Sequence, residues 1–117
     1  MTLSIDPMSS TPPFEQVRRG VIAQVQSGDL VAGSRLPTVR ALADQLGLAV
    51  NTVARAYREL ESDGVIETRG RNGSIVLASG DSIHRSIEAA ARQYADLVKQ
   101  LGLGQAEALA IVAAALS

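Results

Sequence analysis

The feature that most constrains this chain is a change of residue periodicity near its middle. Apolar residues recur at three- and four-residue steps across residues 12–64, in stretches that end at Gly28, Gly47 and Gly64. Two β-rich stretches, 65–69 and 74–77, follow directly and flank Asn72-Gly73. Asn-Gly is a strong hairpin signal because a type I′ turn requires positive φ at both central residues. Three helices followed by a hairpin predict a winged helix-turn-helix, mainly α with a small β-hairpin.

Turn and cap residues set the helix boundaries in this region. Pro12 and Pro13 are tolerated at the start of the first helix. Thr38 is the predicted N-cap of a second helix that ends at Gly47, and a third helix is predicted over about 49–62. The short turn between the second and third helices is typical of a helix-turn-helix. The third helix is predicted to bury Val53, Tyr57 and Leu60.

The chain returns to a helical pattern after Gly80, close to a heptad repeat. Gly102 and Gly104 interrupt it, and the segment from about Gln105 to Leu116 is apolar nearly all round. Such a helix must be buried against a partner. We therefore expect a two-helix dimerisation segment, carried by Ile83, Ile87, Tyr94, Leu97, Val98, Leu101, Leu109, Val112 and Leu116.

The domain organisation that follows is a flexible N-terminal arm (1–11), a DNA-binding winged helix (12–79) and a helical dimerisation tail (80–117). The absence of cysteine excludes disulfides, thiolate metal sites and cysteine nucleophiles. Residues 1–10 lack the basic and apolar regions of a secretory signal, and no apolar run approaches the roughly 20 residues that a bilayer requires. A cytoplasmic protein without a membrane partner is expected.

The distribution of charge along the chain indicates the class of binding partner better than the net charge does. The net charge of −1 alone argues against a strongly basic nucleic-acid binder. Six arginines nevertheless lie between residues 35 and 71, and the one lysine, Lys99, lies outside that stretch. A local basic face is therefore possible around the second helix, the third helix and the hairpin.

The third helix would enter the major groove of DNA with its N-terminal residues at base edges. Asn51, Thr52, Arg55 and Arg58 can point outward there. Asn pairs with adenine, Arg with guanine, and Thr contacts a phosphate or a thymine methyl. The alternative is that Asn51 and Thr52 are ordinary capping residues and that the arginines are solvated.

Phosphate contact is expected at Arg35 and Arg40, which flank the start of the second helix, because that helix crosses the DNA backbone. A surface arginine, or an Arg40–Asp44 pair, is the alternative. Arg71 at the hairpin tip can reach the minor groove, although a solvated turn explains Asn72-Gly73 equally well. The predicted DNA-binding set is Arg35, Thr38, Arg40, Asn51, Thr52, Arg55, Arg58, Arg71 and Gly73.

No residue pattern indicates an enzyme. The single histidine, His84, has neither a cysteine nor a second histidine with which to share a metal. No nucleophile elbow or glycine-rich phosphate loop is present. We expect no catalytic residues, no cofactor and no metal.

Residues 34–77 resemble the DNA-binding domain of GntR-type transcription regulators, and the similarity extends over about 12–78. The motifs are Leu36-Pro37-Thr38-Val39-Arg40, Asn51-Thr52-Val53, Ala56-Tyr57, Leu60-Glu61, Gly64 and Gly73-Ser74. The short two-helix tail is similar to that of the YtrA-like subfamily, in which it serves dimerisation. The resemblance implies a bacterial repressor, often of transporter operons. It also implies DNA contacts from Arg40, Asn51, Thr52 and Arg55 and a wing glycine at Gly73.

Three positions depart from the family pattern. Ala49 stands where a capping Ser or Thr is common, which weakens the cap by about 0.5–2 kcal/mol. Val50 occupies a site that is often polar, and Asn72 stands where a basic residue is frequent. These changes affect which operator is read and not the fold.

The resulting hypothesis is a homodimeric winged-helix repressor that binds double-stranded DNA. Its operator would be an inverted repeat with half-sites about one helical turn apart. The alternative is a winged helix that serves as a protein-interaction module without DNA specificity. The small-molecule effector stays unknown, because no pocket can be argued from the sequence of two helices.

Overall fold

A computed structural model of the chain describes residues 1–70 and 73–117. The chain divides into two compact units, Met1–Ile83 and His84–Ser117, and each is described by itself. The elements in order are α1 (Pro13–Ser27), β1 (Arg35–Leu36), α2 (Val39–Leu46), α3 (Val50–Ser62), β2 (Ile66–Thr68), β3 (Ser74–Val76), α4 (Gly80–Leu101) and α5 (Gln105–Leu116). The division after Ile83 falls within the first turn of α4.

The core of the first unit forms where α1 and α2 pack against α3, with the sheet beside them. Val17, Val21 and Val25 of α1 are buried at four-residue steps, as the helical period requires. Val53, Tyr57 and Leu60 of α3 are buried as predicted. Full burial of a valine or leucine contributes about 1.5–3 kcal/mol, so these stripes fix how the three helices pack.

The sheet has three antiparallel strands in the order β1-β3-β2. The predicted hairpin pairs Ile66 with Val76 and Thr68 with Ser74. The third strand was not predicted, because residues 29–37 read as a connector. In the structure Leu36 of that segment is buried and pairs with Ser74. The tip of the predicted turn, Arg71 and Asn72, lies outside the described residues.

The turn between α2 and α3 orients the two helices. Thr38 caps α2 as predicted, its Oγ1 accepting from the Ala41 N–H at 3.1 Å. Gly47 ends α2 with φ of 67°, and Ala49 precedes α3 without a side-chain cap. The Tyr57 hydroxyl donates to the Pro37 carbonyl at 2.7 Å. This bond fastens the entry of α2 to the middle of α3.

Residues 1–11, for which the sequence predicts a flexible arm, lie along α1 in this structure. Leu3 and Ile5 pack against the core of the first unit. The Gln16 side chain accepts from the Asp6 N–H at 2.8 Å and donates to the Asp6 and Thr11 carbonyls. The sequence prediction rested on the polar residues of this segment and overlooked Leu3 and Ile5. The domain boundaries themselves stay a prediction.

The second unit buries very little. Ala108 is its one buried residue in the structure as described. The Tyr94 hydroxyl donates to the Ala108 carbonyl at 2.7 Å and ties α5 to α4. Several large apolar side chains of this unit are exposed: Ile87, Leu97, Leu101, Leu109, Ile111 and Leu116. Within the described chain, no helix has the length and apolar character needed to cross a membrane.

Ile83 was predicted to belong to the dimerisation set but packs against the core of the first unit. The heptad stripe placed it with the tail because its spacing from Ile87 is helical. The structure shows that α4 begins within the first unit, so its opening residues serve that unit's core.

Candidate nucleic-acid interface

The exposed side of α3 follows from its buried side. Because Val53, Ala56, Tyr57 and Leu60 face the core, Asn51, Arg55 and Arg58 are exposed and Thr52 is half-buried. The helix therefore presents one amide and two guanidinium groups to solvent along one side, the arrangement that a groove-reading helix requires.

Three of the predicted arginines are exposed and have no acidic partner among the described residues. They are Arg35 on β1, Arg40 on α2 and Arg58 on α3. The alternative Arg40–Asp44 pair does not form between these two described side chains. Each guanidinium is therefore free to bind a phosphate or a base edge.

Arg55 differs from these three. Its Cζ lies 3.7 Å from the centroid of the Phe14 ring on α1, and its Nε lies 3.7 Å from Glu59 Oε1. Glu59 also approaches Arg18 of α1, whose guanidinium is hydrogen-bonded to Glu15. Arg55 thus joins α3 to α1 through a cation–π contact and an ion pair. Arg55 is therefore not one of the unpaired arginines.

The same cluster lowers the pKa of an acidic side chain. The hydrogen bond from Arg18 holds the pKa of the Glu15 carboxyl below its usual range. Arg18 and Arg19 both lie within ion-pair distance of this carboxylate. The acidic side chains of this cluster neutralise the arginines of α1, which leaves them poorly suited to phosphate binding.

A cleft of about 270 Å³ lies between α3 and the hairpin. It brings together three members of the predicted set, Thr38, Arg58 and Gly73. Gly73 has φ of 83°, and a Cβ placed there would lie 3.6 Å from the Leu36 carbonyl oxygen. The base of the wing is thus close to the start of α2. Arg71, the predicted minor-groove residue, lies outside the described residues.

Sequence reasoning missed the residue that attaches the wing to α3. The Thr68 N–H donates to Glu61 Oε2 at 2.8 Å. This bond lowers the pKa of the Glu61 carboxyl. The sequence analysis named Glu61 only as part of a family motif. Its contact with Thr68 could not be predicted, because a separation of seven residues between a helix and a strand produces no periodic pattern.

Residues 13–76 match the family described as bacterial regulatory proteins, gntR family. This chain belongs to the GntR family. Over 107 residues it is 48% identical to the HTH-type transcriptional regulator Rv1152 of Mycobacterium tuberculosis, spanning 92% of this chain and 88% of that protein. Over 70 residues it is 46% identical to the HTH-type transcriptional repressor YtrA of Bacillus subtilis, spanning 59% of this chain and 54% of the repressor.

The fold of this GntR protein also matches a solved DNA complex. The DNA-binding domain of AraR in complex with operator ORX1 superimposes with a TM-score of 0.57 at 25% identity, over 64% of this chain and 93% of the AraR chain. The predicted family, its YtrA-like subfamily and the winged-helix fold are confirmed. The chain is a DNA-binding transcription regulator, and its relatives are regulators and not enzymes.

Proposed function

We propose that this GntR protein is a homodimeric repressor that binds an inverted-repeat operator in the cytoplasm. The observation that carries the proposal is the set of three unpaired arginines, Arg35, Arg40 and Arg58, around the exposed side of α3. Unpaired guanidinium groups beside a helix-turn-helix supply the electrostatic part of DNA binding without a basic net charge. The name of the related YtrA supports repression.

Each exposed residue has a role that its chemistry favours. Arg35 and Arg40 contact phosphates, and Asn51 pairs with a base edge, preferably adenine. Arg58, beside the cleft, contacts the DNA backbone where it passes between α3 and the wing. Thr38 accepts from Ala41 through Oγ1 and keeps its hydroxyl proton for a phosphate. Gly73 lets the wing lie close to α2, and Thr52 takes a supporting phosphate contact.

Arg55 is assigned to α1 in this proposal. To reach guanine its guanidinium would have to leave both the Phe14 ring and the Glu59 carboxylate. Breaking those contacts would cost part of what a base contact supplies. The proposed minor-groove role of Arg71 rests on the sequence alone.

The second unit supplies the dimer. Exposed apolar patches of this kind mark interaction surfaces in soluble proteins. We assign pairing to Ile87, Tyr94, Leu97, Val98, Leu101, Leu109, Val112 and Leu116. Two copies would set two α3 helices in successive major grooves, with half-sites about 34 Å apart.

The proposal is tested by selecting bound sequences from a random duplex pool with the full chain, followed by anisotropy titrations at two salt concentrations. Enrichment of an inverted repeat with a steep salt dependence is expected. Binding without enrichment and without salt dependence would instead favour the protein-interaction module.

Two variants sharpen the test. Arg40→Ala should weaken all duplexes alike and reduce the salt slope by about 1. Arg92→Ala removes the same charge from an exposed tail residue paired with Glu88 and should change neither quantity. Asn51→Ala should cost about 1–3 kcal/mol of specific binding and relax one base pair per half-site. An unchanged base preference in Asn51→Ala would contradict its assignment.

A further inference from the structure

One row of side chains along α3 begins with aliphatic residues. Val50 is the first residue of the helix and is 42% exposed. Ala54 lies one turn further on and lines the cleft, and Arg58 follows after another turn. Because residues four apart share one face of a helix, these three side chains form a single row. Its N-terminal half is apolar and its C-terminal half is cationic.

Val50 is not used for packing in the core of the first unit. Leu48, two residues earlier, packs against the core, whereas Val50 belongs neither to the core nor to the described apolar residues packed against it. A branched aliphatic side chain therefore faces solvent at the end of α3 that would enter the groove. Arg58, in the same row, is exposed and has no acidic partner among the described residues, as is also true of Arg40 on α2.

DNA offers one apolar group in the major groove. The C5-methyl of thymine is the feature that apolar side chains recognise there, while every other base-edge feature is a hydrogen-bond donor or acceptor. Val50 and Ala54 can make no hydrogen bond through their side chains. The chemistry of the row therefore selects thymine, or a pyrimidine with the same 5-methyl group, over uracil and unmodified cytosine.

We propose that Val50, supported by Ala54, reads thymine methyl groups, so that each half-site carries at least one thymine beside the base read by Asn51. The inference rests on the proposed function, in which α3 enters the major groove. One helical turn is about 5.4 Å and base pairs are about 3.4 Å apart. Val50 and Ala54 can thus contact methyls one or two base pairs apart. Arg58, at the far end of the row, contacts the backbone.

The test replaces each thymine of the selected operator in turn by deoxyuridine, which removes only the methyl group. Full-length protein is titrated against each duplex. At one symmetric pair of positions we expect about a fourfold loss of affinity per methyl, the equivalent of about 0.8 kcal/mol for one buried methyl-sized group. Other thymines should tolerate uracil.

Two variants assign the methyl contact to its side chain. Val50→Ala should lower the ratio of thymine to uracil affinity at the sensitive position toward one, and this substitution at an exposed helical site should leave the fold intact. Val31→Ala makes the same change at a valine that is 61% exposed in a connector. It should leave the ratio unchanged.

The outcomes distinguish the inference from the proposed function. If uracil is tolerated everywhere while Asn51→Ala still weakens specific binding, the methyl reading is wrong and the operator function stands. An undiminished ratio in Val50→Ala overturns the assignment to Val50. If the chain selects no duplex at all, the proposed function itself fails.

Discussion

The two units of this molecule differ in whether they bury their apolar residues. Every buried side chain of the described chain except Ala108 lies in the first unit, Met1–Ile83. The second unit, His84–Ser117, leaves Leu97, Leu101, Leu109 and other large apolar residues exposed. The first unit is therefore a folded domain with its own core, whereas the second leaves most of its apolar side chains exposed. The first carries the DNA-binding fold, and in our proposal the second pairs it with another copy of the chain.

The largest expected effect is a leucine-to-alanine change in the core. Leu60 of α3 is fully buried in the core of the first unit. Leu60→Ala should lower the free energy of unfolding of the first unit by about 2–5 kcal/mol, through lost burial and a cavity. Chemical denaturation would measure this. Leu97→Ala, at a residue that is 52% exposed, should leave that transition unchanged. Equal losses from the two variants would remove the distinction between the units.

A charge placed on the tail surface should separate the chains without unfolding the first unit. Leu97→Glu should raise the dimer dissociation constant about a hundredfold, on the order of 2–4 kcal/mol, because pairing would bury an unpaired carboxylate. Sedimentation equilibrium at several concentrations measures it. Gln93→Glu adds the same charge at an exposed polar site of α4 and serves as the control. An unchanged dissociation constant in Leu97→Glu would show that residues 84–117 are not the dimer interface.

Helical elements were well predicted from the sequence because their signals are local. Four helices follow from periodic apolar residues that end at glycines such as Gly28 and Gly47, and the fifth follows from an apolar segment after Gly104. The hairpin follows from two β-rich stretches that flank Asn72-Gly73. The strand at Arg35–Leu36 was missed because two residues carry no periodicity and their pairing with β3 joins distant segments. The packing of Leu3 and Ile5 was missed for the same reason.

The candidate site was predictable in its residue types but less so in its pairing. Helical geometry places Asn51, Arg55 and Arg58 outward, and the structure agrees. Sequence spacing could not show that Phe14 lies under Arg55, since that contact depends on how α1 packs against α3. Which arginines are free to bind DNA is therefore a property of the folded unit.

A buried hydroxyl links the reading helix to the segment before α2. Tyr57→Phe removes the hydrogen bond to the carbonyl of the half-buried Pro37, and the net contribution of such a bond is about 0.5–1.5 kcal/mol. We expect a loss of that size in the unfolding free energy, with a weaker operator affinity because α2 is less firmly oriented. A variant as stable as the original protein would show that the bond is dispensable.

Tyr57 also makes stability depend on alkaline pH. Burial raises its pKa above the ordinary value of about 10. The unfolded chain therefore loses the phenolic proton first, and the stabilisation present below pH 10 is lost as pH rises toward the folded pKa. The slope approaches about 1.4 kcal/mol per pH unit. Unfolding measured between pH 8 and pH 11 should show this fall, and Tyr57→Phe should lack it.

The smallest expected effect is the coupling between Arg55 and Phe14. A double-mutant cycle of Arg55→Ala and Phe14→Leu should give about 0.5–1 kcal/mol of unfolding free energy, because the guanidinium is over half exposed. Base preference should be unchanged in Arg55→Ala. Relaxed preference at one guanine per half-site would restore Arg55 to base reading.

We propose that residues 84–117 pair two chains so that two copies of the first unit bind one operator. Sedimentation velocity of the full chain with a short duplex carrying the selected operator tests it directly. We expect a complex of two chains per duplex for the original protein. For Leu97→Glu at the same concentration we expect one chain per duplex and much weaker binding. A single original chain bound per duplex at full affinity would contradict it.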